Sequence, residues 1–166
     1  MIKKDFREEY YDYLYPRSVE LKKILFNEIE ARGKITFARF METVLYYPAL
    51  GYYTTPVQSL YSDYLTSPKI HRAFGELIAE KLRFMWDNMG RPEDFFIVET
   101  GAGDGSLCRQ IMYGVTSCPD FYNSIHYVML NLNNIEIEDD KISQCIYRDF
   151  SLPLKHIKGC FISNEL

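Results

Sequence analysis

Phe95-Phe96-Ile97-Val98-Glu99-Thr100-Gly101-Ala102-Gly103-Asp104-Gly105-Ser106 runs from a short apolar stretch straight into three glycines at alternate positions. That order is the layout of a strand turning into a ligand-facing helix. Glycine lets the backbone take positive φ and approach a ligand closely, and the helix that follows presents unpaired N–H groups to polar ligand atoms. A dinucleotide fingerprint reads G-x-G-x-x-G/A. Counted from Gly101, its sixth position is Ser106, and the third glycine arrives one residue early at Gly105. The match to a nicotinamide dinucleotide site is therefore imperfect. Taken alone, the stretch also fits a tight turn that holds no ligand.

Outward from this turn, the chain after Pro92 alternates short apolar segments with helical or loop sequence. Strands are predicted at Phe95–Val98, Tyr127–Leu132, Cys145–Tyr147 and Gly159–Ser163. Such alternation argues an α/β fold with a parallel sheet, whose ligands lie beyond the carboxyl ends of the strands. The glycine turn follows the first strand, where that fold places a ligand. Ahead of Pro92 the pattern is helical. Residues up to Arg17 read as a loose arm or a short irregular helix. Ser18 opens a segment whose apolar positions 21, 24, 25 and 29 have helical spacing, and Gly33 closes it. Thr36 is the expected N-cap of a second helix, Phe37 to Leu45, that stops near Pro48. A loop from Pro56 to Pro68 leads to the longest predicted helix, about Ile70 to Met89, ended by Gly90.

Composition bounds the reading. A chain of 166 residues supports one domain that buries roughly 70% of its unfolded surface. The 19 basic and 23 acidic residues are interspersed, giving a net charge of −4 and no electrostatic footprint for nucleic acid. No apolar run approaches the roughly 20 residues that span a bilayer, and Met1-Ile2-Lys3-Lys4-Asp5-Phe6-Arg7 leads into no apolar signal core. A soluble intracellular protein without membrane insertion is predicted. Cys108, Cys118, Cys145 and Cys160 form no C-x-x-C pair, so they read as reduced packing thiols, with no metal site expected. The 14 tyrosines are concentrated ahead of residue 65. They suit a surface that covers or receives something, because the ring packs while the hydroxyl stays wet.

Four dispersed motifs stand in a fixed order. They are Ile35-Thr36-Phe37-Ala38-Arg39-Phe40-Met41-Glu42 with Tyr47-Pro48 and Gly51-Tyr52-Tyr53; Asp63-Tyr64-Leu65-Thr66-Ser67-Pro68 with Phe74-Gly75-Glu76-Leu77-Ile78-Ala79; the glycine turn behind Glu99; and Ile162-Ser163-Asn164-Glu165-Leu166. Together they resemble the MidA-like methyltransferases, a class I S-adenosylmethionine-dependent family that includes the mitochondrial arginine methyltransferase needed for respiratory complex I assembly. The resemblance implies a Rossmann-like α/β fold with a parallel sheet, preceded by a helical N-terminal segment. It implies a helical segment with a lid-like loop over 1–90 and the first half of the cofactor-binding domain over 91–166. The family's remaining motif continues past Leu166, so a C-terminally truncated sheet is expected, with four strands of the family's seven. An exposed edge there is expected to leave the free chain unstable.

By the same resemblance the cofactor is S-adenosyl-L-methionine and the substrate a nitrogen of arginine in a partner protein, such as a complex I subunit or its homologue. Glu99, Gly101, Gly103 and Gly105 are implied to hold the cofactor, with Thr66, Ser67 and Pro68 closing over it. Thr66-Ser67-Pro68 also fits a helix-starting cap. Asp149 is the candidate for the adenine amino group, or a turn cap. Glu165 and Asn164 are the candidate catalytic pair, since a carboxylate offers a guanidinium two acceptors. Asn131 stands where the family has an acidic residue for the ribose hydroxyls, and it lacks a bidentate acceptor. The implied location is cytoplasmic in a bacterium and the mitochondrial matrix in a eukaryote. Two other readings remain open on the residues alone, a non-catalytic remnant that binds a partner and an NAD-linked oxidoreductase half-domain. Ser106 and Asn131 count against the second.

Overall fold

A computed structural model of the chain describes residues 16–54, 67–132, 134–146 and 154–164. The chain divides into two compact units, Met1–Leu60 and Tyr61–Leu166.

In the first unit, helix α1 (Pro16–Arg32) begins on proline, two residues before the expected Ser18. Proline lacks the N–H that a first-turn residue leaves unpaired, so it starts the helix at no cost in hydrogen bonding. Helix α2 (Phe37–Tyr46) opens as predicted on Thr36, whose hydroxyl oxygen accepts from the Arg39 N–H at 3.1 Å. Arg39 then ties the helices together, its Nε donating to both carboxylate oxygens of Glu28 at 3.2 Å. Phe37 and Phe40, which have core spacing, stand exposed with their rings stacked at 6.0 Å. Only Thr43 on this helix is buried. Its hydroxyl is satisfied by the Arg39 carbonyl one turn back, at 2.9 Å. A turn at Pro48–Leu50 and a short 3₁₀ turn (Tyr52–Thr54) follow.

The second unit is built from α3 (Ser67–Ile70), α4 (Ala73–Asn88), β1 (Phe95–Thr100), α5 (Ser106–Val115), α6 (Pro119–Ser124), β2 (Ile125–Asn131), β3 (Ile142–Ile146) and β4 (Gly159–Ser163). Its strands form one sheet in the order β3-β2-β1-β4, with every pair parallel. This is the Rossmann-like arrangement, and the order reverses at β1. The long helix begins at Ala73 and not at Ile70, because His71 Nδ1 accepts from the Ala73 N–H at 3.0 Å and caps a new start. The second and third strands begin two and three residues earlier than the apolar runs suggest.

Alternation along the strands divides the core. Phe95 and Ile97 of β1, with Ile125, Tyr127 and Met129 of β2, pack against Ala79, Leu82 and Trp86 of α4 and against Leu107, Cys108, Ile111 and Met112 of α5. Val98, Val128 and Leu130 face the other way, against Phe96, Cys145, Leu154 and Ile157. Each fully buried apolar side chain here contributes about 1.5–3 kcal/mol. Helices α4 and α5 approach closely because two glycines leave room: a Cβ on Gly75 would lie 2.3 Å from Gln110 Cβ, and one on Gly114 2.8 Å from Ala79 Cβ. All four cysteines are free thiols.

Candidate functional site

The site grows from the carboxyl end of β1. Strand pairing sets Thr100 between Leu130 of β2 and Ser163 of β4, so the residues that follow all three strands gather at one edge of the sheet. Past Thr100 the backbone enters the left-handed region at Gly101 (φ 67°), Gly103 (φ 59°) and Gly105 (φ 74°). Three such turns within five residues are open to glycine and strained for other residues. The turn is anchored as it leaves the sheet by Gly101 N–H, which donates to the Leu130 carbonyl at 2.9 Å. Asp104 closes it, its Oδ1 accepting from the Ser106 N–H at the start of α5 at 3.0 Å.

Glu99 is the buried carboxyl of this edge. It shares a face with Phe95 and Ile97, is 3% exposed, and accepts a hydrogen bond from the Tyr127 hydroxyl at 2.7 Å. Burial pushes its carboxyl up to about 7, the Tyr127 hydrogen bond pulls it back, and the charge of Asp104 adds to the rise. Burial also holds the Tyr127 phenol and the Cys108 thiol well above their usual ranges, so both stay protonated. A buried carboxylate poised near neutrality is primed to meet a cation.

Asn131, at the end of β2, is 6% exposed and faces the glycine turn. Its Oδ1 accepts from the Gly103 N–H at 3.2 Å, and its Nδ2 donates to the Gly103 carbonyl at 3.4 Å. On the other side, Pro68 is buried in α3. The Pro68 carbonyl accepts from Gln110 Nε2 at 2.6 Å, and Gln110 Oε1 accepts from the Gly75 N–H at 3.3 Å. One amide thus fastens α3 and the start of α4 to α5. Lys69 of α3 stands 4.0 Å from Asp104 of the turn.

The structure therefore gathers Glu99, Gly101, Gly103, Gly105 and Asn131 at one place, and holds Pro68 to the helix that leaves it. Ser67 opens α3. Asn164 follows β4 at the same sheet edge, half-buried. Thr66, Asp149 and Glu165 lie outside the described residues. Sequence reasoning missed Tyr127 and Gln110, since a tyrosine in an apolar strand and an amide in an amphipathic helix both read as packing. Among the described residues there is no His, Cys, Asp and Glu group that could hold a metal, and no helix long and apolar enough to cross a membrane.

These residues fit a ligand with a cationic amino-acid end and polar nucleoside atoms. Glu99 offers negative charge, and the turn offers backbone that carries no side chain of its own at Gly101, Gly103 and Gly105. Residues 77–166 match the family model described as "Putative S-adenosyl-L-methionine-dependent methyltransferase". The chain is 39% identical over 97 residues to the mitochondrial protein arginine methyltransferase NDUFAF7 homolog of Drosophila melanogaster, a match covering 58% of this chain and 22% of that protein. It is 30% identical over 132 residues to the Caenorhabditis elegans homolog, covering 76% of this chain and 30% of that protein. Its fold is similar to a COG1565 superfamily member from Burkholderia thailandensis bound to S-adenosyl-homocysteine, with a TM-score of 0.63, 28% identity, and 72% of this chain and 32% of that chain covered. The chain spans under a third of the length of each of these proteins.

Proposed function

Because the chain belongs to the S-adenosyl-L-methionine-dependent methyltransferase family, we propose that it binds S-adenosyl-L-methionine across the glycine turn and serves methyl transfer to an arginine nitrogen of a partner protein. The observation that carries this reading is the buried Glu99 carboxyl beside three left-handed glycines at the carboxyl end of β1. When bound, the cofactor supplies an electrophilic methyl group on a sulfonium. Glu99 offsets the charge of its ammonium end, Gly101, Gly103 and Gly105 keep side chains out of its way, and Pro68, with Thr66 and Ser67, closes the pocket. Transfer of this kind is in-line displacement, for which a protein mainly supplies positioning. Asn164 and Glu165 are assigned to the guanidinium, whose fork matches a carboxylate. Asp149 is assigned to the adenine amino group.

The similarity to protein arginine methyltransferases supports a protein substrate, and a respiratory complex I subunit or its homologue is the finer candidate. The mitochondrial names of those relatives support a matrix location in a eukaryote, and the cytoplasm is the location we propose for a bacterial protein of this kind. The proposed functional division is a helical segment with a lid-like loop in 1–90 ahead of the cofactor-binding 91–166, with α4 of the first part packed into the core of the second compact unit.

Calorimetric titration with S-adenosylhomocysteine tests the cofactor assignment. Saturable one-to-one heat is expected, and Gly103→Val is expected to weaken binding by roughly 5- to 150-fold, because a β-branched residue at φ 59° is strained by about 1–3 kcal/mol. A folded chain that releases no heat, or a Val variant that binds unchanged, overturns it.

A further inference from the structure

Resting on that cofactor reading, we infer that Asn131 is a positioning residue, which fixes the glycine turn through its amide, and that the site consequently reads the ligand's ribose hydroxyls weakly. Strand β2 goes on hydrogen-bonding the chain after β1 has ended. Leu130 takes the Gly101 N–H at 2.9 Å through its carbonyl, and Asn131 then takes both polar groups of Gly103 through its side chain. The two Asn131 contacts fix the amide orientation, since a reversed amide would set N–H against N–H and oxygen against oxygen. They also explain why an amide stands here. A carboxylate has the acceptor for the Gly103 N–H but no donor for the Gly103 carbonyl, and its charge would be held 3.4 Å from that oxygen.

In nucleotide-binding α/β folds an acidic residue at the end of the second strand typically spends its oxygens on the ribose hydroxyls. Here one of the two amide donors and one acceptor lone pair are spent on the turn. Asn131 is 6% exposed, so what remains for a ligand is at most one N–H and one lone pair of a largely covered amide. The gain is a Gly103 held at φ 59° before any ligand arrives. The cost falls on hydroxyl readout: a site built to pair a hydroxyl rejects the analogue without it by up to about 10⁴-fold, and this one is expected to discriminate within about threefold.

Two measurements decide it. In the ligand-free chain, NMR of the Asn131 side-chain amide and the Gly103 N–H is expected to show exchange with water much slower than at the exposed Asn134 amide. Equal exchange overturns the inference, and this arm needs neither a variant nor a ligand. Calorimetry then compares S-adenosylhomocysteine with its 2′-deoxy analogue on the chain and on Asn131→Asp. Asp is expected to weaken both ligands alike, by about tenfold, the loss typical of one hydrogen bond with its partner left unpaired. Tighter binding of the ribose ligand by Asp, or a wild-type preference for it above tenfold, overturns the inference. If the wild-type chain binds neither ligand, the cofactor reading falls, while amide exchange still decides the contact between Asn131 and Gly103.

Discussion

The Tyr127 hydroxyl donates to Glu99 Oε2 at 2.7 Å, one strand across, with both side chains buried on the helix-covered face of the sheet. The pair makes the stability of the fold depend on pH. Glu99 titrates at about 7 in the folded chain against an ordinary 4.5. Between those values the folded state holds a proton that the unfolded chain has released. That stabilisation is complete below the unfolded value and is lost as pH rises through about 7. At ~1.4 kcal/mol per pH unit it amounts to roughly 3 kcal/mol. Urea unfolding at pH 5 and pH 8 is expected to show this loss in the wild type and a much smaller one in Glu99→Gln. A Gln variant with the wild-type pH slope would falsify the assignment.

Tyr127→Phe keeps the ring in the core and removes the only hydroxyl given to Glu99 by a described side chain. Because that bond favours the charged carboxylate, its loss moves the Glu99 titration above 7. Stability at pH 8, where the bare carboxylate is buried, is expected to fall by about 1–3 kcal/mol, and by less at pH 5. Carbon-detected NMR titration of the Glu99 carboxyl checks the direction. A downward shift contradicts the geometry.

How much of this was legible in the sequence depended on whether the signal was local. Thr36 announced α2 because its oxygen meets an N–H three residues on. The four strands were found because their apolar runs are compact, but Ile142, Ser143 and Gln144 alternate too weakly for the start of β3 to show. Helix α6 escaped notice. Its Pro119-Asp120-Phe121-Tyr122-Asn123-Ser124 buries only Phe121 and Ser124, too few positions for a period. In the site, Glu99 and the glycines were legible because their spacing is short. Tyr127 and Gln110 were not, since their partners lie 28 and 42 residues away in sequence.

Gln110 carries a further prediction. Four N–H groups open every helix without an intrahelical partner, and for α4 the third of them, on Gly75, is met by Gln110 from another helix at 3.3 Å. Gln110→Ala leaves that donor and the Pro68 carbonyl unpaired. A loss of about 2 kcal/mol is expected, with faster hydrogen exchange at Gly75. Exchange at Ala73, which His71 serves at 3.0 Å, is expected to stay as it was. Uniform acceleration along α4 would instead mean that the helix is loosened as a whole.

Gly159 separates a steric requirement from a conformational one. It starts β4 opposite Phe96, and a Cβ there would fall 1.8 Å from the Phe96 carbonyl oxygen and 2.8 Å from its nitrogen. Both are backbone atoms of a central strand, which cannot step aside without breaking the β1–β4 ladder. Gly90 offers the contrast in the same unit. Its φ is 80°, but a Cβ would meet nothing within 4 Å. Gly90→Ala is expected to cost about 1 kcal/mol of backbone strain, and Gly159→Ala at least about 3 kcal/mol, because overpacking against fixed backbone adds to the lost pairing. Urea unfolding ranks the two variants, and hydrogen exchange at Cys160 to Ile162 tells where the larger loss arises. If Gly159→Ala proves as mild as Gly90→Ala with those amides still protected, β4 does not lie against β1 in the register that brings Asn164 to the glycine turn.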